Sequence, residues 1–338
     1  MHALPRPDGS PASDSASSVR DWDPATRLML HAATLAPSSH NTQPWRFVVR
    51  PGAIELHCDP TRALAVNDPH DRELTISCGC ALFNLRAAAA HCGLKATVER
   101  FPAGDADEWL ARVELRAPLS DELPETSALA ELYGSIGARR THRQRFEART
   151  PSERARQALA TAAQAEGARW CEFDDDERRA QAATLVARGD QIQWADPRWR
   201  RELAAWMHPR RSGDGLTIPG LSAPLTHAVV RSFDMGSGVG AKDHELAQES
   251  PLLGVLLTAH DTRRDWLAAG EALERLLLTA CGLGLQASFL NQPCQVDALR
   301  PQLALLCGGD VPQLLIRLGF PTEPAPATVR RELDAVAS

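Results

Sequence analysis

A stretch of the chain around residue 90 recurs 191 positions later. Ala81, Leu82, Leu85, Ala89, Gly93, Leu94 and Ala96 are matched by Ala272, Leu273, Leu276, Ala280, Gly284, Leu285 and Ala287. Each copy reads as a buried helix, a Gly-Leu stop and a short strand. Any two apolar helices share Ala and Leu, but the common Gly-Leu-x-Ala ending points to duplication. A chain of this kind is expected to fold as two related α+β halves. The two long apolar stretches, 74–94 and 272–290, also carry Asn84 and Arg86, or Glu274 and Arg275. Buried helices of a globular protein therefore fit them better than membrane spans.

Punctuation by Pro, Gly and capping residues divides the rest. Asp23-Pro24 reads as an N-cap and a first-turn proline of a helix running to about Ala36. Strands at 45–50 and 53–58 flank the turn pair Pro51-Gly52. A helix is expected over about 72–92, strands near 95–101 and 109–116, and a linker from Pro118 to Pro124. Helices follow at about 127–138, 152–165 and 177–193, with a strand around 169–173. Segment 195–250 differs: Trp194, Trp199 and Trp206 lead into a Pro- and Gly-rich run from Pro209 to Pro224. Order is expected to return with a strand at 252–258, a helix at 263–283, a strand at 286–290, a helix at 296–306 and a strand at 313–319. The expected division is a disordered tail at 1–20, one half at 21–120 and a second at 125–338, with 195–250 as a candidate lid.

The 338 residues and 43% hydrophobic content suit one large globular domain or two smaller ones. A net charge of −6 argues against a general nucleic-acid binder. No apolar core follows the charged start as in a secretory signal. The eight cysteines are scattered, Cys78 and Cys80 face different sides of a helix, and no second close pair completes a metal site. They read as reduced, small apolar residues, and a cytoplasmic location without membrane or nucleic-acid partners is expected.

The densest chemistry lies at residues 37–47, Pro-Ser-Ser-His-Asn-Thr-Gln-Pro-Trp-Arg-Phe. Ser38, Ser39, Asn41 and Gln43 place hydroxyls and amides on one irregular turn, and Pro44 forces Gln43 out of helical space. Such a loop, held between a helix and a hairpin, suits the edge of a planar heterocycle; a capped helix end followed by a turn would look similar. The segment closely resembles the Pro-Ser-Ser-x-Asn-x-Gln-Pro-Trp loop of the nitroreductase superfamily, the FMN-dependent flavoproteins. That family also carries an Arg-rich phosphate cradle, usually before this loop. Residues 20–28, Arg-Asp-Trp-Asp-Pro-Ala-Thr-Arg-Leu, are no such cradle, whereas Arg139-Arg140-Thr141-His142-Arg143 is.

The resemblance implies a nitroreductase-like fold, duplicated and fused into an intramolecular pseudo-dimer in the manner of the Acg-type branch, over roughly residues 24–335. Family members are generally homodimers whose flavin sits between subunits, the loop from one and the cradle from the other. Here the first half keeps the loop and the second keeps the cradle, so one complete FMN site is expected in a chain compatible with a monomer. The resemblance places Ser38, Ser39, Asn41 and Gln43 at the ring, and Arg139, Thr141 and Arg143, with Arg140 beside them, at the phosphate and ribityl chain. Arg330 matches another phosphate contact, and Leu290 and Asn291 match the backbone near flavin N5. Taken alone, the Arg cluster also reads as a basic helix C-terminus favoured by the macrodipole, and Arg330 as an exposed tail residue.

Gly236-Ser237-Gly238-Val239-Gly240 lacks the spacing of a dinucleotide loop, and Pro251 cuts off a helix behind it. His31, His40 and His142 have no carboxylate partner in sequence and read as structural or solvent-facing. With a flavin no catalytic side chain is required. The expected activity is reduction of nitro or quinone-type acceptors by NAD(P)H, with NAD(P)H and a small aromatic acceptor as partners. The alternative is FMN storage behind a lid with little turnover.

Overall fold

A computed structural model describes residues 22–208, 213–217 and 223–338. The expected tail 1–20, and part of the run Pro209–Pro224, lie outside the described residues. The helices are α1 (Pro24–Thr34), α2 (Arg72–His91), α3 (Leu123–Ile136), α4 (Glu153–Gln164), α5 (Asp176–Ala195), α6 (Pro197–Ala205), α7 (Ala223–Ser232), α8 (Gly236–Gln248), α9 (Arg263–Gly282), α10 (Gln292–Gln295) and α11 (Arg300–Leu306). The strands are β1 (Trp45–Arg50), β2 (Ala53–Cys58), β3 (Lys95–Arg100), β4 (Trp109–Arg116), β5 (Arg169–Glu172), β6 (Met207–His208), β7 (Leu216–Thr217), β8 (Leu252–Thr258), β9 (Gln286–Phe289) and β10 (Val311–Gly319). No helix among the described residues is long and apolar enough to cross a membrane.

The duplication is visible in the sheets. One has the order β1-β2-β4-β3 and the other β5-β8-β10-β9, with every neighbouring pair antiparallel. In each sheet a long helix connects the second strand to an edge strand, and the two helices pack on each other in one core. The helices α2 and α9, and the starts of β3 and β9, are related by the same 191 positions as the sequence repeat. The crossing point is Gly79 on α2 and its counterpart Gly270 on α9. A Cβ on Gly79 would collide with Leu267 O and lie 2.8 Å from Gly270 Cα; one on Gly270 would collide with Ile76 O and lie 2.7 Å from Gly79 Cα. Ile76 and Leu267 are themselves 191 apart, so the contact has an internal pseudo-twofold axis. Only glycine lets the two backbones meet this closely.

Alternation along β8 shows how the second sheet is covered. Leu252 and Leu256 join the core shared with α2 and α9, while Leu253, Val255 and Leu257 join a second cluster under α5 and α11. The C-terminal residues cross back to the first half. Phe47 N donates to Val336 O, Val49 N to Ser338 O and Ser338 N to Phe47 O, extending the first sheet along β1.

Three expectations are corrected. The linker at 118–124 ends inside α3, whose first turn holds Pro124, where a missing N–H costs nothing. The segment after 195 is not irregular: it contains α6, α7 and α8. The glycine run opens α8, where Gly236 and Gly240 permit close packing on α5; a Cβ there would meet Trp194 Cβ and Ala187 O, each at 3.0 Å. Pro251 follows that helix. The helix expected at 296–306 begins only at Arg300.

Candidate functional site

The loop between α1 and β1 has an unusual backbone. His40, Asn41 and Gln43 all have positive φ, at 48°, 55° and 52°. L-residues seldom adopt this conformation, and three in four positions persist only because the surroundings fix them. The loop's own side chains supply the fixing. Ser38 Oγ accepts from Gln43 N at 3.0 Å. Ser39 Oγ donates to Glu73 Oε2 at 2.6 Å. Asn41 Nδ2 donates to Gly215 O and Val329 O, both at 3.3 Å, and its Oδ1 accepts from Arg330. Gln43 Nε2 donates to Gly213 O at 2.9 Å, and its Oε1 accepts from Arg331 N at 2.9 Å.

The loop forms one wall of a cavity of about 470 Å³, within the ~300–1,000 Å³ of ordinary small-molecule sites. Ser38, Ser39, Asn41, Arg139, Arg140, Thr141, Arg143, Asn291 and Arg330 all line it. Gln43 and Leu290 do not. Gln43 is fully buried and clamps 213 and 331 to the loop. Leu290 is 3% exposed, and its N–H is spent on Leu315 O, so it has none to offer a ligand.

The cationic side chains differ in commitment. Arg139 lies 3.6 Å from the buried carboxylate of Glu274 and donates to Leu35 O. Arg330 donates to Thr34 O, Leu35 O and Ala36 O, the free carbonyls at the end of α1, where a cation also suits the helix dipole. Arg140 donates to Gly137 O and Arg139 O. Arg143 has no ion pair or hydrogen bond among the described residues. Much of its side chain is open, yet its guanidinium loses hydration at the cavity wall, which lowers its pKa. The segment is held by the buried Arg317, which donates to His142 O and Gln144 O, and by His142 N bonding Ala287 O.

Sequence reasoning passed over several wall residues. Glu73, 2% exposed, ties the loop to the turn at 291–295: besides Ser39 it accepts from Gln295 Nε2 at 2.9 Å and Asn291 Nδ2 at 3.4 Å. Its position in the first turn of α2 is also where any helix favours an acid, so the sequence held no distinguishing signal. His40, expected to be structural or solvent-facing, lines the cavity. Burial is the main cause of its pKa falling to about 4, so its imidazole is neutral. Trp194 and Trp199 line the cavity edge to face, with ring centroids 5.4 Å apart, and Trp199 Nε1 donates to Asn67 Oδ1 at 2.8 Å. Trp206 is elsewhere, against the Arg62 guanidinium.

Asp190 of α5 also borders the cavity. Only 3% exposed, it accepts from Gln292 Nε2 at 3.1 Å through Oδ1, while Oδ2 has no partner. The same amide nitrogen bonds Asp243 at 2.9 Å. Burial, then the charge of Asp243, raises the Asp190 pKa to about 7. The folded protein thus holds a proton that the unfolded chain releases near the ordinary aspartate value of 3.8. The stability this proton contributes is complete below that value and lost as pH rises through about 7. Asp190→Asn, neutral at every pH, is expected to gain about 1–2 kcal/mol over the parent at pH 8 and nothing at pH 4. Urea denaturation at both pH values measures it.

No family model matches the chain. The Mycobacterium tuberculosis (strain H37Rv) protein named "Putative NAD(P)H nitroreductase Rv3131" is 32% identical over 321 residues, 92% of this chain and 90% of its own. This chain belongs to the nitroreductase superfamily. A second relative from the same strain, "Putative NAD(P)H nitroreductase acg", is 30% identical over 311 residues, 90% of this chain and 92% of its own, and places it in the Acg-like branch. Among solved structures, the "putative nitroreductase" from Anabaena variabilis covers 88% of both chains at 11% identity with a TM-score of 0.52, a likeness of fold. A nitroreductase with bound FMN from Desulfitobacterium hafniense covers 62% of this chain and 98% of its own at 14% identity, with a TM-score of 0.38.

The nitroreductase halves here are no longer equivalent. Moving the cavity residues by 191 positions locates the counterpart of the site. Cys80 maps to Glu271 and Asn291 to Arg100, and these two pair directly: Glu271 Oε2 accepts from Arg100 Nη2 at 2.6 Å and Nε at 2.9 Å. Arg86 Nη1 adds bonds to Glu271 Oε1 and Glu166 Oε2, both 2.7 Å, and Arg275 pairs with Glu166 at 2.7 Å. Glu271 is fully buried. The connection from α1 to β1 spans residues 35–44, whereas that from α4 to β5 spans only 165–168. The short version supplies Glu166 to the ion network instead of a ligand loop. An ion network of charged side chains therefore occupies the position that the repeat relates to the cavity.

Proposed function

We propose that this chain binds one FMN in the cavity and uses it to reduce nitro or quinone-type aromatic acceptors with NAD(P)H. The observation that carries the reading is Arg143: a cation with no protein anion among the described residues, lining the same cavity as Ser38–Asn41, in a nitroreductase. A phosphate dianion supplies the missing partner, and the guanidinium fork matches two of its oxygens. Thr141 adds a hydroxyl beside it. Ser39, Asn41 and Asn291, each held by protein partners of its own, make this part of the wall polar and rigid, while Ile76, Leu273 and Leu314 give the apolar wall that a ring system needs. When bound, FMN supplies the hydride and electron chemistry. The chain's own residues bind and orient it, and none of them acts as a nucleophile. The relatives' names motivate NAD(P)H as the donor.

The chain is expected to carry FMN, not FAD, at a ratio of about one per chain, since the related position is filled by the Glu271 network. Flavin released by denaturation is identified by chromatography and counted by absorbance against protein. Release of FAD, or a ratio near two, contradicts the reading.

FMN holding with little turnover is the second reading, and the 195–250 segment favours it. Trp199, Leu216 and Val239 from this segment wall the cavity. Glu202 accepts from Val66 N and Asn67 N at 2.9 and 2.8 Å, fastening α6 to the first half. A nicotinamide must stack on the flavin for hydride transfer, so a wall that has to open would limit the rate. Anaerobic stopped-flow with NADH and NADPH separates the readings. It is run on the parent and on a variant with residues 209–224 replaced by a short Gly/Ser linker. Fast reduction in both supports the oxidoreductase; slow reduction relieved by the replacement supports holding.

A further inference from the structure

On the outer side of the second sheet, two cysteines share one guanidinium. Cys171 lies half-buried on the edge strand β5, and Cys307 caps α11 with 3% exposure. Both are free thiols packed in the same apolar cluster under α5. Arg178 of α5 bridges them: its Nη2 donates to Leu306 O at 2.8 Å and to Cys171 Sγ at 3.5 Å. Arg169 Nη2 donates to Cys307 O at 2.6 Å, and its charge acts on Cys171 as well. Asp174 and Asp175 face Arg178, and Asp310 faces Arg169.

The neighbouring Cys307 thiol is the main cause that brings the Cys171 pKa down to about 6 despite burial, and Arg178 and Arg169 add to it. The same neighbour, together with burial, pushes Cys307 well above an ordinary thiol. Near neutral pH the pair is thus one thiolate beside one thiol. The other six cysteines lack this arrangement: burial raises each of Cys58, Cys78, Cys80, Cys92, Cys281 and Cys294.

We propose that Cys171 and Cys307 form a peroxide-sensitive dithiol in which Cys171 is oxidised first and Cys307 resolves it to a disulfide. The Cys171 thiolate attacks one oxygen of hydrogen peroxide. An S–O bond forms, the O–O bond breaks, and the departing hydroxide leaves as water after taking a proton, giving a sulfenic acid. The Cys307 sulfur, losing its proton, then attacks the Cys171 sulfur. An S–S bond forms, the S–O bond breaks and a second water leaves. Two thiols lose two electrons and two protons, and one peroxide becomes two waters.

The test treats the native protein with hydrogen peroxide, alkylates the remaining thiols and maps the peptides. The expected product is a single Cys171–Cys307 crosslink, with the other six of the eight cysteines still free. Cys307→Ser is expected to stop at a dimedone-reactive sulfenic acid on Cys171, and Cys171→Ser to leave Cys307 reduced. Because either serine can disturb the cluster, alkylation of Cys171 in the unaltered protein is also followed against pH. Its midpoint is expected near 6, and its rate at pH 7 at least about tenfold that of Cys92 or Cys281. A Cys171 that reacts no faster than those two, or that pairs with another cysteine or with none under peroxide, overturns the proposal.

Discussion

Arg143→Ala is expected to weaken FMN binding by about 2–5 kcal/mol, a loss of roughly thirty-fold to several thousand-fold in affinity. Arg139 and Arg330 are already committed, to Glu274 and to the end of α1, and are poorly placed to compensate. Arg143 has no partner among the described residues to lose, so its removal is expected to leave the fold intact and the phosphate underpaired. Asn41→Ala is expected to cost less, about 1–2 kcal/mol, because it removes the neutral bonds to Gly215 and Val329 that fix the loop in its binding shape. Fluorescence titration of the apoprotein with FMN, alongside a thermal melt of each variant, measures both. Unchanged affinity in Arg143→Ala would show that the phosphate lies elsewhere.

Gly79→Ala is expected to destabilise the protein by about 3–5 kcal/mol, with the fold and not the ligand as its target. The new methyl group meets Leu267 O and Gly270 Cα, both backbone, so no side-chain rotation relieves the contact. Either α2 and α9 move apart and loosen the core they share, or one of them bends. Gly93→Ala is a useful contrast. Its positive φ of 76° strains an alanine, but nothing lies within 4 Å of the added Cβ, and a cost of about 1 kcal/mol is expected. Chemical denaturation of the two variants separates collision from backbone strain; equal costs would mean that the helix crossing yields easily.

The repeat made the central helices legible because each is an apolar run closed by Gly-Leu, a signal that lies within the element itself. The Arg-rich segment and the Ser-Ser-x-Asn loop were also legible as local strings. What the side chains do there was not. Asn41 and Gln43 bond Gly215, Val329, Gly213 and Arg331, partners between 170 and 288 positions away. Asp190 and Glu73 became wall residues only when α5 and α2 were packed. The segment after 195 read as irregular because glycine weakens a helix on its own; in place, the same glycines let α8 lie against α5, and packing overrides propensity. Leu290 failed for a related reason, since strand pairing decides which N–H groups remain to meet a ligand.

The loop and the arginines that line the cavity belong to one polypeptide, held together by the α2–α9 crossing and by residues 336–338 along β1. In a site shared by two chains, dissociation of the pair destroys the binding pocket, so occupancy falls on dilution even at saturating flavin. Covalent linkage removes that dependence, because the second half is always present at the effective concentration set by the connecting chain. On the proposed reading, flavin affinity is expected to stay the same as the protein is diluted, because both sides of the site travel in one molecule.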